Sequence, residues 1–231
     1  MTQPESAFER TFIWGGAVAF VLSLAVTALT WMVIFGRTAP FQGWWPLAVD
    51  VVLFGAFAAH HSAFARDWAK AALDPLLPSA LLRSVYVWTA SLLLLVVCAN
   101  WRPIGGEAYD LTGVAWTVTT LVQVTGAWLS WRSLAAIDFL ELAGVRRLPT
   151  PPTLKRNGPY RLVRHPMHLG LVLLVSGSPH MTGDRLAFAA ATTLYLIVAI
   201  RWEERGLERT FGDAYVRYRR DVPWRILPYV Y

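Results

Sequence analysis

The chain alternates long apolar blocks with short charged stretches. Thr11 to Phe35 runs for 25 residues without a charge. At about 1.5 Å of rise per residue, such a helix exceeds a hydrocarbon core roughly 30 Å thick. Pro46 to Ala65 forms a second block, which carries Asp50 and the pair His60-His61. Ser84 to Trp101 and Leu111 to Trp131 are the third and fourth. Met167 to Thr182 and Leu186 to Ile200 are shorter, 16 and 15 residues, and are joined by Gly183-Asp184-Arg185. This pattern predicts an all-α integral membrane protein with about six transmembrane helices, the last two forming a hairpin. Beyond Ile200 the chain becomes charged but keeps Leu207, Phe211 and Tyr215 at i, i+4 and i+8. That spacing predicts an amphipathic helix on the membrane surface, bent near Gly212 and ended by Pro223.

Charge placement agrees with this count. With a cytoplasmic N-terminus and alternating helices, the outer loops receive only Arg37, Arg102 and Arg185, and the other 18 of 21 Lys and Arg fall inside. The positive-inside rule then places both termini in the cytoplasm, in what reads as a bacterial inner membrane. The net charge of +6 is explained by topology and attraction to anionic headgroups, so a nucleic-acid partner is not expected. Twelve Trp suit belts at the two interfaces. The flank Glu5 to Arg10 is not basic, and the first apolar run is too long for a secretory signal. A single cysteine, Cys98, excludes disulfides within the chain and any thiolate cluster for zinc or iron–sulfur, and no metal is expected. Leu148-Pro149-Thr150-Pro151-Pro152-Thr153 cannot continue a helix. It divides a four-helix part, residues 1–147, from a C-terminal unit, residues 148–231, which holds most of the suggestive chemistry. A short interfacial helix is expected from Ile137 to Gly144.

That chemistry begins at Gly158-Pro159-Tyr160-Arg161-Leu162-Val163-Arg164-His165-Pro166-Met167-His168-Leu169-Gly170. Pro166 suits the first turn of a helix, where its missing N–H costs nothing. Arg164 and His165 then flank a helix N-terminus with unpaired donors, either as an anion site or as topological charges. Glu203 and Glu204 lie at the predicted inner end of the sixth helix. There they are either neutralised by Arg201, Arg205 and Arg209 or left to accept from ribose hydroxyls or face a cation. A cationic helix start and an anionic helix end at one depth suit a zwitterionic ligand that carries a sugar.

The GPYRLVRHPMHLG segment, an apolar hairpin and EERGLERTFGDAYVRYRRDVP together resemble the isoprenylcysteine carboxyl methyltransferase and phospholipid methyltransferase superfamily of integral-membrane methyltransferases. The shared pattern is G-x-Y-x-x-x-R-H-P-x-Y-x-G, a hairpin, an E-E pair and F-G-x-x-Y-x-x-Y. It implies S-adenosyl-L-methionine as cofactor, bound by Tyr160, Arg164, His165, Pro166 and Gly170 on one wall and Glu203 and Glu204 on the other. Tyr215 and Tyr218 match the closing helix. Farther upstream, His60 to Arg66, Arg83 to Tyr86, Asn100 to Ile104 and Ser178 to Thr182 are similar to the bacterial methanethiol S-methyltransferases and NnrU-like proteins. His168 stands where the pattern has Tyr.

Methyl transfer from a sulfonium to a thiol needs alignment and a thiolate, because the thiolate is the nucleophile. His168 and His61 are the candidate bases, and Arg164 joins them as a candidate catalytic residue. The acceptor is expected to be a small thiol such as methanethiol, with a lipid-like acceptor as the alternative. A lesser reading is a haem or non-enzymatic membrane protein using the five histidines. Ionisable residues within the membrane need partners, and the partners of Asp50 and Arg83 are not legible.

Overall fold

The computed structural model describes residues 6–64, 66–137, 139–146 and 153–231. The Pro-rich boundary at 148–152 lies outside them. In chain order come α1 (Ala7–Leu29) with a π-helical turn (Thr30–Ile34), α2 (Trp44–Phe64), α3 (Asp67–Leu73) and α4 (Ser79–Asn100). Strand β1 (Glu107–Asp110), α5 (Gly113–Ile137) and α6 (Phe139–Leu142) follow. The C-terminal part holds a 3-10 turn (Gly158–Arg161), α7 (Pro166–Ser176), β2 (His180–Thr182), α8 (Gly183–Phe211) and α9 (Asp213–Asp221).

The protein is mostly helical. Among the described residues four stretches are long and apolar enough to cross a membrane: Ala7–Ile34, Trp44–Phe64, Leu81–Asn100 and Gly183–Phe211. Helix α5 has the length, but Thr117, Thr119, Thr120, Gln123, Thr125, Ser130, Arg132 and Ser133 dilute its apolar character. The fifth predicted helix differs more. Helix α7 has 11 residues, which at about 1.5 Å each fall far short of a bilayer. Gly177 caps it, and Ser178-Pro179 leads into β2, which pairs antiparallel with β1. The sixth is longer than its apolar run: α8 has 29 residues. It carries Glu203 and Glu204 well inside a helix and ends only at Gly212, where φ is 50°.

The chain forms two compact units, Met1–Ile104 with Phe139–Arg147, and Gly105–Asp138 with Leu148–Tyr231. In the first, α1 packs on α4. A Cβ on Gly15 would stand 2.9 Å from the Trp88 ring, so glycine there admits the indole. The indole Nε1 donates to the Phe12 carbonyl at 3.0 Å, meeting the need of a buried N–H for an acceptor. Asp50 is buried on α2 and accepts from the Arg102 backbone N–H at 2.8 Å. That is one partner the sequence left open. The expected interfacial helix is the short α6, followed by Gly144 at φ 78°.

In the second unit α5 and α7 lie backbone to backbone. A Cβ on Gly126 would collide with Leu174 N, and one on Gly170 would meet Ser130 N at 2.6 Å. Gln123 Nε2 also donates to the Leu174 carbonyl at 3.1 Å. Thr182 caps α8 by accepting from Arg185 N, and Asp184 Oδ2 accepts from Gly105 N at 3.1 Å. These contacts tie the start of α8 to the β1–β2 pair. The other end of α8 and the start of α7 carry the charged cluster.

Candidate active site

Pro166 opens α7 at its first position, with His165 as N-cap. Residues three apart share a helix face, so His165 and His168 present their rings together. The rings stack with centroids 5.3 Å apart at 24°. Opposite them α8 supplies Glu203 and Glu204. Adjacent helix residues diverge by about 100°, and the two carboxylates meet different surroundings accordingly.

Glu204 points inward, with its side chain 6% exposed. Arg164 Nε donates to its Oε1 at 2.6 Å, and Arg225 Nε donates to its Oε2 at 2.9 Å. His165 Nε2 lies 3.4 Å from Oε1. The Arg164 side chain, 4% exposed, also donates from Nη1 to the carbonyls of Val222 at 2.8 Å and Pro223 at 2.6 Å. Its backbone N–H donates to Trp224 O, and that of His165 donates to Arg225 O, each at 2.9 Å. Arg164 and Glu204 therefore form a floor that fastens the C-terminal segment beneath α7. A buried ion pair holds only when its remaining donors and acceptors are satisfied, and the two carbonyls and Arg225 do that here.

Glu203 forms the rim, with its side chain 48% exposed. Its Oε2 stands 3.6 Å from His165 Nδ1 and 3.8 Å from His168 Nε2. Nδ1 of His168 is buried without a hydrogen-bond partner among the described residues. Tyr160 sits on the 3-10 turn, and its carbonyl accepts from the Tyr218 hydroxyl at 2.7 Å. Burial first, then the Glu203 carboxylate and Tyr218, push the Tyr160 phenol up to about 12. Beneath the turn, Tyr215, Tyr218 and Val222 of the closing segment pack with Leu154, Leu207 and Phe211. The apolar stripe read as one bent helix is thus split between α8 and α9 but buries one cluster.

Six of the sequence candidates come together in the second unit: Tyr160, Arg164, His165, His168, Glu203 and Glu204. Pro166 is buried at the helix start. Gly170 lies in the α5–α7 seam, where its missing Cβ makes room for Ser130. His61 belongs to the first unit, beside Phe57 at 5.6 Å and Tyr86 at 5.6 Å. Sequence reasoning missed Arg225, hidden in a basic tail with no spacing to mark it. It also missed the Val222 and Pro223 carbonyls, since backbone acceptors leave no trace in residue identity.

The phospholipid methyltransferase family matches residues 114–214, from α5 into α9. Methanethiol S-methyltransferase 2 of Bradyrhizobium diazoefficiens is 36% identical over 190 residues, 77% of this chain and 71% of that protein. Methanethiol S-methyltransferase of Crocosphaera subtropica is 34% identical over 80% of this chain and 75% of its own. Its namesake in Mycobacterium tuberculosis is 34% identical over 77% of this chain and 78% of its own. No solved structure matches. With four membrane-length helices and this agreement across most of its length, the chain belongs to the phospholipid methyltransferase family and is a membrane methyltransferase similar to methanethiol S-methyltransferases.

Proposed function

We propose that the protein transfers a methyl group from S-adenosylmethionine to a small thiol such as methanethiol, giving dimethyl sulfide. The observation that carries this reading is the two-level cluster between the start of α7 and the Glu203-Glu204 stretch of α8. A buried floor, Arg164 with Glu204, holds a half-exposed rim of His165, His168 and Glu203. The activity for which the relatives are named, methanethiol S-methylation, supports this choice of acceptor.

The donor set suits S-adenosylmethionine. The Glu203 side chain is half-exposed, so its carboxylate can reach ribose hydroxyls or a sulfonium charge. The Tyr160 ring and the start of α7 offer an apolar face and a positive helix end for the rest of the cofactor. Tyr160, His165 and Glu203 would hold the cofactor directly, while Arg164 and Glu204 position them from below. When bound, it supplies an electrophilic methyl group on a sulfonium sulfur. The protein's task is to align the acceptor and to stabilise it as a thiolate. Rim nitrogens, Nδ1 of His165 and Nε2 of His168, are the groups that meet that charge or proton. His61 is retained as a second candidate base.

In this reading six helices embed in a bacterial inner membrane, with α5 and the short α7 completed by their partners. Both termini and the rim face the cytoplasm, as the charge pattern requires. The other acceptor class, a phospholipid amine or a prenylcysteine carboxylate, draws on the family's description. Incubating purified protein with methyl-labelled S-adenosylmethionine and a panel of thiols, phospholipids and prenylcysteines decides between them. The expected label is in dimethyl sulfide. Label confined to lipid would replace the thiol reading.

A further inference from the structure

We infer that the cleft between the start of α2 and the end of α4 binds the headgroup phosphate of an anionic phospholipid. The cleft is open, about 400 Å³ in volume, and is lined by Ala39, Gln42, Trp45, Pro46, Arg102 and Pro103. All six residues belong to the first unit. Chain direction explains why they meet. Helix α1 and its π-helical turn run toward this end, α2 starts here, and α4, packed on both, finishes here.

The framework is built before any lipid arrives. Buried Asp50 accepts from the Arg102 backbone N–H at 2.8 Å and so fixes that residue at the cleft. Trp101 is buried beside it, with its ring 4.7 Å from that of Phe35. Gln42 N donates to the Ile104 carbonyl at 2.9 Å, tying the connection before α2 to the one after α4. Pro40, Pro46 and Pro103 each lock φ near about −65°. A ligand therefore meets a preformed surface, and little ordering entropy is lost on binding.

The donors suit a phosphate. Because the backbone of Arg102 meets Asp50, its exposed guanidinium is spared for a ligand. A planar guanidinium fork matches two phosphate oxygens at once. Gln42 Nε2 donates to the Pro40 carbonyl at 2.9 Å, and the second hydrogen of that amide is left for an acceptor. Residues 36–43 and 101–104 carry Arg37 and Arg102 and no acidic side chain. The first turn of α2 adds the positive end of a helix dipole.

The surroundings select a lipid over a free ion. Trp44 and Trp45 are 74% and 77% exposed, as aromatic side chains at headgroup depth are. Farther along α2, Val51 and Val52 are exposed as well, a surface for acyl chains. A phospholipid uses the cation, the indoles and the valines together, whereas inorganic phosphate gains only the first. The uncompensated positive charge favours phosphatidylglycerol over zwitterionic phosphatidylcholine. In the topology proposed above, that lipid belongs to the outer leaflet.

Native mass spectrometry of the full chain in detergent, titrated with phosphatidylglycerol or phosphatidylcholine, tests the site. Wild type should take up a first phosphatidylglycerol more tightly than phosphatidylcholine. Arg102→Ala, checked for folding by circular dichroism, should weaken that first lipid about fivefold. Arg102→Lys, which keeps the charge without the fork, should fall between the two, and Trp45→Ala should bind more weakly than wild type. Arg10→Ala removes the same charge from the other end of α1 and should bind like wild type. Equal phosphatidylglycerol affinity in wild type and Arg102→Ala overturns the site. Equal affinity of wild type for the two lipids overturns the anionic headgroup. Inorganic phosphate binding as tightly as the lipid overturns the lipid as occupant.

Discussion

The protein has two pairs of closely spaced histidines, and their surroundings differ in kind. His60 and His61, on α2, stand among rings: His60 lies 4.3 Å from Phe64 and 6.4 Å from Tyr86, and His61 touches Phe57 and Tyr86. His165 and His168, at the start of α7, face two carboxylates, one of them clamped by two arginines. Residue type is the same in both places. The second pair is backed by carboxylates, and a hydrogen-bonding partner at one ring nitrogen fixes which nitrogen holds the proton. The same contrast recurs between neighbours. Glu204 is consumed by the fold, whereas Glu203 is left facing out.

Breaking the floor should give the largest effect. Arg164→Ala or Glu204→Gln leaves an unpaired buried group and should cost about 3–5 kcal/mol. Thermal unfolding in detergent should show the loss, with activity falling in parallel. Both variants melting like wild type would mean that the floor does not hold the C-terminal segment.

At the rim the effect should be catalytic instead. Glu203→Gln and His168→Ala should lower kcat/KM by about 100-fold, or about 2.7 kcal/mol, while the melting temperature stays near wild type. Equal losses of stability in floor and rim variants would erase the distinction. In the helix seam, Gly170→Ala forces a Cβ against the Ser130 backbone and should cost about 1–3 kcal/mol, again read by melting. Retained activity in the surviving folded fraction would confine Gly170 to packing.

A smaller effect concerns the cluster beneath the 3-10 turn. Burial pushes the Tyr218 phenol up to about 12, with the Arg164 guanidinium opposing and the Glu204 carboxylate adding to the rise. The folded protein then keeps a proton that the unfolded chain releases near 10.0. This contribution is intact below that pH and is lost as pH rises toward 12. Tyrosinate absorbance of wild type minus Tyr218→Phe should therefore show no ionisation near pH 10 in the folded state. The smallest effect is expected at His60→Phe, which should leave both stability and turnover close to wild type.

Much of this was legible in the residues. Block length located every long helix, because lipid demands continuous apolar runs. The RHP segment was legible because it sets Arg164 and His165 beside a helix start, and the Glu203-Glu204 pair because two carboxylates closely follow a long apolar run. What escaped has physical reasons. The length of α7 depends on Gly177-Ser178-Pro179 leading into a strand whose partner lies before α5, a pairing no local pattern announces. Helix α8 continues past its apolar run because Arg and Glu are good helix formers. The fate of Glu204 depends on Arg225 and on carbonyls of Val222 and Pro223, contacts made only when the chain returns. Gly170 belonged to a recognisable segment, yet its visible work is helix packing.

The proposed chemistry brings a sulfonium methyl donor to a thiol at the α7–α8 rim. Its most direct test is single-turnover transfer of labelled methyl from S-adenosylmethionine to methanethiol by wild-type protein and by Glu203→Gln, each shown to be folded. Labelled dimethyl sulfide is expected from wild type, with a rate about 100-fold lower in the variant. Equal rates in the two proteins, or no labelled thioether from folded wild type, would contradict it.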